Sequence, residues 1–262
     1  MRGVQLGHAI GAQVQANVTR AGLAGADLVV LVKRPSEPLL AALRAWGGPL
    51  VWDVVDAWPQ PAGNAWSRLR ATEWLVHSLA HIRPRAVVAA TDTMRRDCPV
   101  DALWLPHHYQ PGLEVNPVRE VVRRVGYQGG AHYLGQWGRV LLRECARRGW
   151  EFVLQPASLA DVDVGVALRD GGGYPCAAWK SNVKLANLQG SGTPAIVCRE
   201  QGYLETLSGA ELVVDNAGEL VEALDRLTSQ AERRWRSEVL YRSAVGLEVL
   251  AERYRAWLED QV

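Results

Sequence analysis

An α/β fold built on open parallel sheets is predicted by two observations. The strand candidates are continuous apolar runs such as Ala26-Asp-Leu-Val-Val-Leu-Val-Lys33, typical of strands covered on both faces. They alternate with helix candidates along the whole chain. A third observation divides the fold. The alternation stops at the Pro/Gly-bearing stretch Pro106–Pro117, which has little periodicity, and then restarts. Two αβ halves, residues 1–117 and 118–262, ending in a long C-terminal helix, are therefore expected.

The elements follow in order. Gln5–Ala12 can form a short helix and Val14–Val18 a weak strand. After the strand at Ala26–Lys33, Pro35-Ser-Glu-Pro38 opens a helix with Leu39, Leu40, Leu43 and Trp46 on its apolar side. Proline suits the first helical turn, and Gly47-Gly48 ends the helix. Pro49–Asp56 is a strand. Trp66–Ile82 is a helix with Leu69, Thr72, Leu75, Val76 and Leu79 inward. Ala86–Ala90 is a strand, Thr91–Asp97 a short helix and Ala102–Pro106 the last strand of the half. In the second half, Val121–Tyr127 is a strand running into Gln128-Gly-Gly130. His132–Arg148 is a helix, and Trp150–Leu154 and Asp161–Leu168 are strands. A helix carrying Lys180 and Lys184 is stopped by Gly192-Thr-Pro194. Ala195–Cys198 and Glu211–Val214 are strands, and Ala217–Leu227 is a helix. Trp235, Val239, Leu247, Leu250, Ala251, Tyr254 and Trp257 keep helical spacing over 231–258.

Composition narrows the function classes. The chain has 262 residues, 48% hydrophobic and 22% charged, with a net charge of +1. That balance lacks the excess positive charge of a dedicated nucleic-acid binder. No apolar run is long enough to cross a membrane and the N-terminus lacks a signal-peptide core, so a cytoplasmic location is expected. Cys98, Cys145, Cys176 and Cys198 fit no zinc spacing and read as free thiols. His77 and His81 are four apart on a helix, but no third metal ligand accompanies them. Neither a Walker loop nor a Gly-x-Ser-x-Gly elbow occurs.

Ligands of open parallel sheets sit beyond the C-terminal ends of the strands. The residues there are Lys33-Arg34, Asp53, Asp56, Thr91-Asp92 and His107-His108. Asp56 is a candidate base towards a hydroxyl, or a turn residue. His107 can bond a substrate hydroxyl or phosphate, or simply backbone. Gly129 and Gly130 can offer backbone amides to a phosphate, or form a structural turn. Lys180 and Lys184, two of only three lysines, would lie one turn apart on a helix beside Arg169. They form either a solvated face or a site for a doubly charged anion such as a diphosphate. Trp52, Trp58, Trp66 and Trp179 lie near strand ends or loops, where they could stack on a sugar or base or form core.

Lys180–Pro194, continued by Gly202-Tyr-Leu-Glu205, resembles the donor-binding segment of GT-B glycosyltransferases. More narrowly it resembles the retaining, metal-independent group whose nucleotide-sugar motif runs into Gly-x-Pro. The resemblance covers most of 121–262 and the first half more loosely. It implies two Rossmann-like domains facing a cleft: 1–117 binding the acceptor, 118–262 binding the donor, and the final helix crossing back. Lys184 matches a lysine that lies near the donor diphosphate in some members. Asn187 stands where a carboxylate usually holds the ribose, and Trp179 stands at the first position of the family's Glu-x7-Glu pair. Gly126-Tyr127 replaces the start of a Gly-Arg-x5-Lys phosphate pair, so Arg169 and Lys180 would supply that charge. Thr193, within the Gly-x-Pro, and Glu205, matching a carboxylate near the donor sugar, complete the implied donor set.

The resemblance thus implies a transferase moving a sugar from a nucleotide-linked donor, UDP- or GDP-linked, to a hydroxyl acceptor without a metal or other cofactor. A small acceptor half suggests an open cleft and a large acceptor such as a polymer. One alternative is a phage-type enzyme that glycosylates hydroxylated bases in DNA. Another is a non-catalytic GT-B-like module that binds a nucleotide, to which the absent Glu pair points.

Overall fold

The computed structural model describes residues 2–16, 18–19, 21–60 and 65–262. The chain divides into two compact units. Unit 1 contains Met1–His107, Gly172–Ser181 and Leu247–Val262; unit 2 contains His108–Gly171 and Asn182–Gly246. The chain therefore passes from one unit to the other after His107, Gly171, Ser181 and Gly246; the sequence suggested a division at 117/118, with the final helix crossing back.

In unit 1 a wide helical turn, Arg2–Leu6, continues into α1 (Gly7–Ala9). There follow β1 (Val29–Val32), α2 (Glu37–Trp46), β2 (Leu50–Asp53) and α3 (Arg68–Ile82). Then come β3 (Ala86–Ala89), α4 (Asp92–Asp97) and β4 (Ala102–Trp104). The four strands are parallel and lie in the order of the sequence, with no reversal. Ser36, Ser67 and Thr91 each accept an amide hydrogen bond at the start of α2, α3 and α4. Gly47 in the left-handed conformation ends α2. The buried positions of α3 are Ala71, Leu75, Leu79 and Ile82. Leu69 and Val76, expected inward, are exposed, because the 71/75/79/82 spacing is the one that meets the sheet. The weak strand expected over Val14–Val18 includes Asn17, outside the described residues; its described residues form no strand.

Unit 2 contains β5 (Arg124–Tyr127), α5 (Gln136–Arg148), β6 (Glu151–Leu154), β7 (Val164–Ala167) and α6 (Val183–Gly190). It continues with β8 (Ala195–Cys198), α7 (Gln201–Leu204), β9 (Leu212–Val214), α8 (Ala217–Arg226) and α9 (Gln230–Ser243). Its parallel strands run β6-β5-β7-β8-β9. The direction of winding reverses between β5 and β7, which is where open α/β sheets bind ligands.

The C-terminal helical stretch consists of α9 and then α10 (Leu247–Glu259). Ala244 is extended, and the Val245 carbonyl accepts from the Tyr109 amide instead of continuing the helix. Gly246 and the β-branched Val245 make that break cheap. Unit 1 takes α10, whose Leu250, Ala251, Tyr254 and Leu258 pack with Leu6, Val51, Val88 and Leu105.

Candidate functional site

The β5/β7 reversal of unit 2 gathers several of the expected donor residues. β5 ends at Tyr127, and Gln128-Gly129-Gly130 leads towards α5. Lys184, in the first turn of α6, reaches over this turn. Its Nζ lies 5.5 Å from the Tyr127 ring and 5.8 Å from the Tyr133 ring, within cation–π range. A Cβ on Gly129 would stand 2.8 Å from Lys184 Cε and 2.9 Å from the Tyr127 hydroxyl. Glycine is therefore required there for the ammonium group to approach the turn. Gly130 lies beneath the His132 ring in the same way.

Arg169 and Asp170 follow β7. Arg169 is buried, and its Nη1 donates to both oxygens of Glu200, at 2.9 and 3.2 Å. Much of its charge is thus offset inside unit 2. This ion pair lies among Tyr127, Tyr203 and Cys198. Burial pushes the Tyr127 hydroxyl up to about 12. Burial, and then the charge of Glu200, push the Cys198 thiol up to about 12. Both groups stay protonated at neutral pH.

The other expected donor residues are more structural. Asn187 accepts from the Gln110 amide at 2.9 Å and donates to Gln128 Oε1 at 3.2 Å. It ties the loop after residue 108 to the β5 turn. Thr193 is fully buried; its hydroxyl lies 2.8 Å from Ser191 Oγ and accepts from Asn116 Nδ2 at 3.3 Å. It holds the base of the turn before β8. Glu205 follows α7, half-buried, and accepts from Gln201 Nε2 at 3.2 Å.

Lys180 does not share a helical turn with Lys184. A wide turn over Pro175–Trp179 ends with Lys180 extended, and α6 begins only at Val183. The cause is Trp179. Its indole is fully buried in unit 1 among Trp58, Trp74 and Tyr174. Its Nε1 donates to Asp97 Oδ2 at 2.8 Å. Asp97 also accepts from Arg68 at 2.7 Å and from the Tyr174 hydroxyl, and Thr91 Oγ1 donates to the Ala178 carbonyl at 3.0 Å. Trp52, Trp58, Trp66 and Trp179 are core in unit 1, not open stacking surfaces.

Lys180 instead joins a second cluster, at the C-terminal ends of β1 and β2 in unit 1. Asp56 Oδ1 lies 2.9 Å from Lys33 Nζ, and Oδ2 lies 3.5 Å from Lys180 Nζ. Burial alone would raise the Asp56 carboxyl, but the two ammonium groups outweigh it and hold it below its ordinary value. Lys180 also lies 5.8 Å from the Trp58 ring. Arg34 donates to the Ala57 and Trp58 carbonyls, each at 2.7 Å. The deeply buried Asp53 lies 3.3 Å from Arg2 Nε, and burial raises its carboxyl despite that cation. Lys33 and Val55 both have positive φ, 66° and 49°. For a β-branched residue this is rare and costs roughly 1–3 kcal/mol, a strain that often accompanies functional loops. His107, buried, follows β4 in the same unit.

Arg2, Glu200, Asp97 and the Tyr127–Tyr133 pair were not singled out by sequence. Lys33 was visible only as a strand-end residue and as the third of three lysines. Among the described residues, no group of three or more His, Cys, Asp or Glu side chains is placed to hold a metal ion. No described helix is long and apolar enough to cross a membrane.

No family model and no curated protein sequence matches the chain. Solved structures do. An α1,3-fucosyltransferase matches with a TM-score of 0.57 at 7% identity, over 100% of this chain and 86% of that one. The N-terminal domain of Candida albicans trehalose-6-phosphate phosphatase matches with 0.57 at 10%, over 99% and 80%. The apo lipopolysaccharide outer core galactosyltransferase WaaB matches with 0.53 at 11%, over 92% and 80%. Likeness at such identities is one of fold: two parallel α/β sheets in the GT-B arrangement of strands and helices, so the chain has the GT-B fold.

Proposed function

We propose that the chain is a glycosyltransferase that takes a sugar from a nucleotide-linked donor to a hydroxyl acceptor. The observation that carries this reading is Lys184 held over the Gly129-Gly130 turn, at the point where the unit 2 sheet reverses. A backbone turn without side chains, next to an ammonium group, suits the diphosphate of a nucleotide sugar. When the bond between the sugar carbon and the phosphate oxygen breaks, negative charge grows on the departing diphosphate. Lys184 offsets charge at that place, which is the kind of interaction that lowers the barrier. Arg169 acts from behind through its ion pair with Glu200, fixing the end of β7, and does not act as an independent cation.

Asp56 and His107 belong to unit 1, the proposed acceptor side. A carboxylate held down by two ammonium groups is a weak base. Asp56 is better suited to orienting a hydroxyl and its neighbouring lysines than to removing a proton. UDP- and GDP-linked sugars are the first donors to try, in the presence of EDTA because the reading needs no metal.

The experiment is nucleotide release from a panel of nucleotide sugars, followed with wild type and Lys184→Ala. Release by wild type, reduced about 100-fold or more in Lys184→Ala, is expected. Near-normal release by the variant refutes the assignment. The engagement of Asn187 by Gln110 and Gln128, where a ribose contact was expected, favours a second reading. Thermal stabilisation by a nucleotide with no release from any donor would make the chain a nucleotide-binding module.

A further inference from the structure

We propose that the side-chain amide of Gln128 donates a hydrogen bond to an oxyanion seated on the Gly129-Gly130 turn, and that Asn187 is the positioning residue that turns the amide that way. That this oxyanion is the diphosphate of a nucleotide-linked sugar rests on the transferase reading; the binding itself is measurable without transfer.

The first observation is a chain of hydrogen bonds that runs in one direction. It starts at a backbone amide, which can only donate. The Gln110 N–H reaches the Asn187 side chain at 2.9 Å, so the Asn187 oxygen must face it. The Asn187 NH2 then points the other way and donates to Gln128 Oε1 at 3.2 Å. With its oxygen committed, Gln128 has its NH2 left to offer. That group has no hydrogen-bond partner among the described residues, and Gln128 is only half-buried, so the NH2 is open to a ligand. Asn187 is 9% exposed, which limits competition from water for the middle of the relay.

The second observation is place. Gln128 joins Tyr127, the end of β5, to Gly129, where the unit 2 sheet reverses. Lys184 and Asn187 are three apart on α6 and share a face. Lys184 reaches over Gly129, and Asn187 holds Gln128. Two neighbouring turns of α6 therefore address two neighbouring residues after β5. An N–H donor beside an ammonium group and a backbone turn without side chains suits an oxyanion, which only accepts; a carbonyl oxygen in the same place would repel it. Asparagine at 187 achieves this orientation and aspartate cannot. A carboxylate would accept from both neighbours and turn the Gln128 amide round.

The test is titration calorimetry of the full-length protein with inorganic pyrophosphate in EDTA, with urea unfolding of each variant as the check on folding. Gln128→Met, similar in shape but without the amide, is expected to weaken pyrophosphate binding about tenfold. Asn187→Asp should weaken it at least as much, although it keeps an acceptor for Gln110. Part of that loss comes from the added charge. A double variant isolates the rest: adding Asn187→Asp to Gln128→Met should cost much less than adding it to wild type, because no amide remains to reverse. Asn187→Ala, which leaves the amide unheld without reversing it, should lose less than Asn187→Asp, and it carries the test with Gln128→Met should the aspartate variant fail to fold. Unchanged affinity in Gln128→Met overturns the proposal, as does an equal loss from Asn187→Asp in both backgrounds or no binding of pyrophosphate by wild type. Nucleotide release by wild type together with unchanged affinity in Gln128→Met would refute the role of Gln128 and leave the transferase reading standing. Weakened affinity in Gln128→Met with no release from any donor would do the reverse.

Discussion

Lys180 and Lys184 are four residues apart, and a single side chain sends them to different units. Trp179 is drawn into the unit 1 core and donates to Asp97, which forces Lys180 out of the helical path before α6 begins. Residue spacing alone cannot show this, because Asp97 lies 82 residues from Trp179 in the chain. Gly129 shows the same dependence on contact. A methyl group there would press on Lys184 Cε and on the Tyr127 ring end. The lysine stem is flexible but the Tyr127 ring is fully buried, so Gly129→Ala should cost about 1–3 kcal/mol of stability through overpacking. Displacing the ammonium group should also weaken binding of a nucleoside diphosphate about tenfold, or about 1.4 kcal/mol. Urea unfolding together with nucleotide titration checks both halves; unchanged nucleotide affinity would contradict the placement.

Elements were largely legible from sequence, for local physical reasons. Continuous apolar runs marked the buried parallel strands, and Gly47 the end of α2. What escaped depended on the partner of each element. The inward face of α3 was shifted, since Leu69 and Val76 are apolar but meet no sheet. The break between α9 and α10 was hidden by side chains that keep helical spacing across it. Close contact between β7 and α6 was also invisible. A Cβ on Gly165 would run into Leu188 and stand 3.2 Å from Thr193 Cγ2. Gly165→Ala should therefore destabilise by about 1–3 kcal/mol through overpacking, measured by urea unfolding. The end of α5 supplies a pH test. Hydrogen bonds from Arg148, then Arg147, with Arg143 adding to them, hold the Glu144 carboxyl down at about 2, against an ordinary 4.5. A depressed carboxyl stabilises the fold fully above its unfolded value, and that contribution fades as pH falls from there towards about 2. Glu144→Gln should lower stability at pH 7 and lose less on going from pH 5 to pH 3 than wild type does. Parallel pH curves for the two proteins would refute the role given to Glu144.

At the scale of the whole molecule, unit 1 is assembled from three separate stretches of chain, so a cut at the apparent linker is not a domain boundary. Residues 1–117 contain all four strands of its sheet but lack α10 and the stretch carrying Trp179. Without α10, Leu6, Val51, Val88 and Leu105 lose the apolar cover of Leu250, Ala251, Tyr254 and Leu258. Burying a large apolar side chain contributes about 1.5–3 kcal/mol, so losing Leu250, Tyr254 and Leu258 removes roughly 5–9 kcal/mol. Whole domains are stable by only about 5–15 kcal/mol. The absence of Trp179 removes a further buried ring, together with one of the donors to Asp97. A fragment of residues 1–117 should therefore fail to fold cooperatively, seen as a flat thermal melt by circular dichroism. A chain joining 1–107 to 172–181 and 247–262 through flexible linkers should recover a transition. Cooperative melting of the 1–117 fragment alone, near the wild-type temperature, would show that α10 and Trp179 decorate unit 1 instead of completing its core.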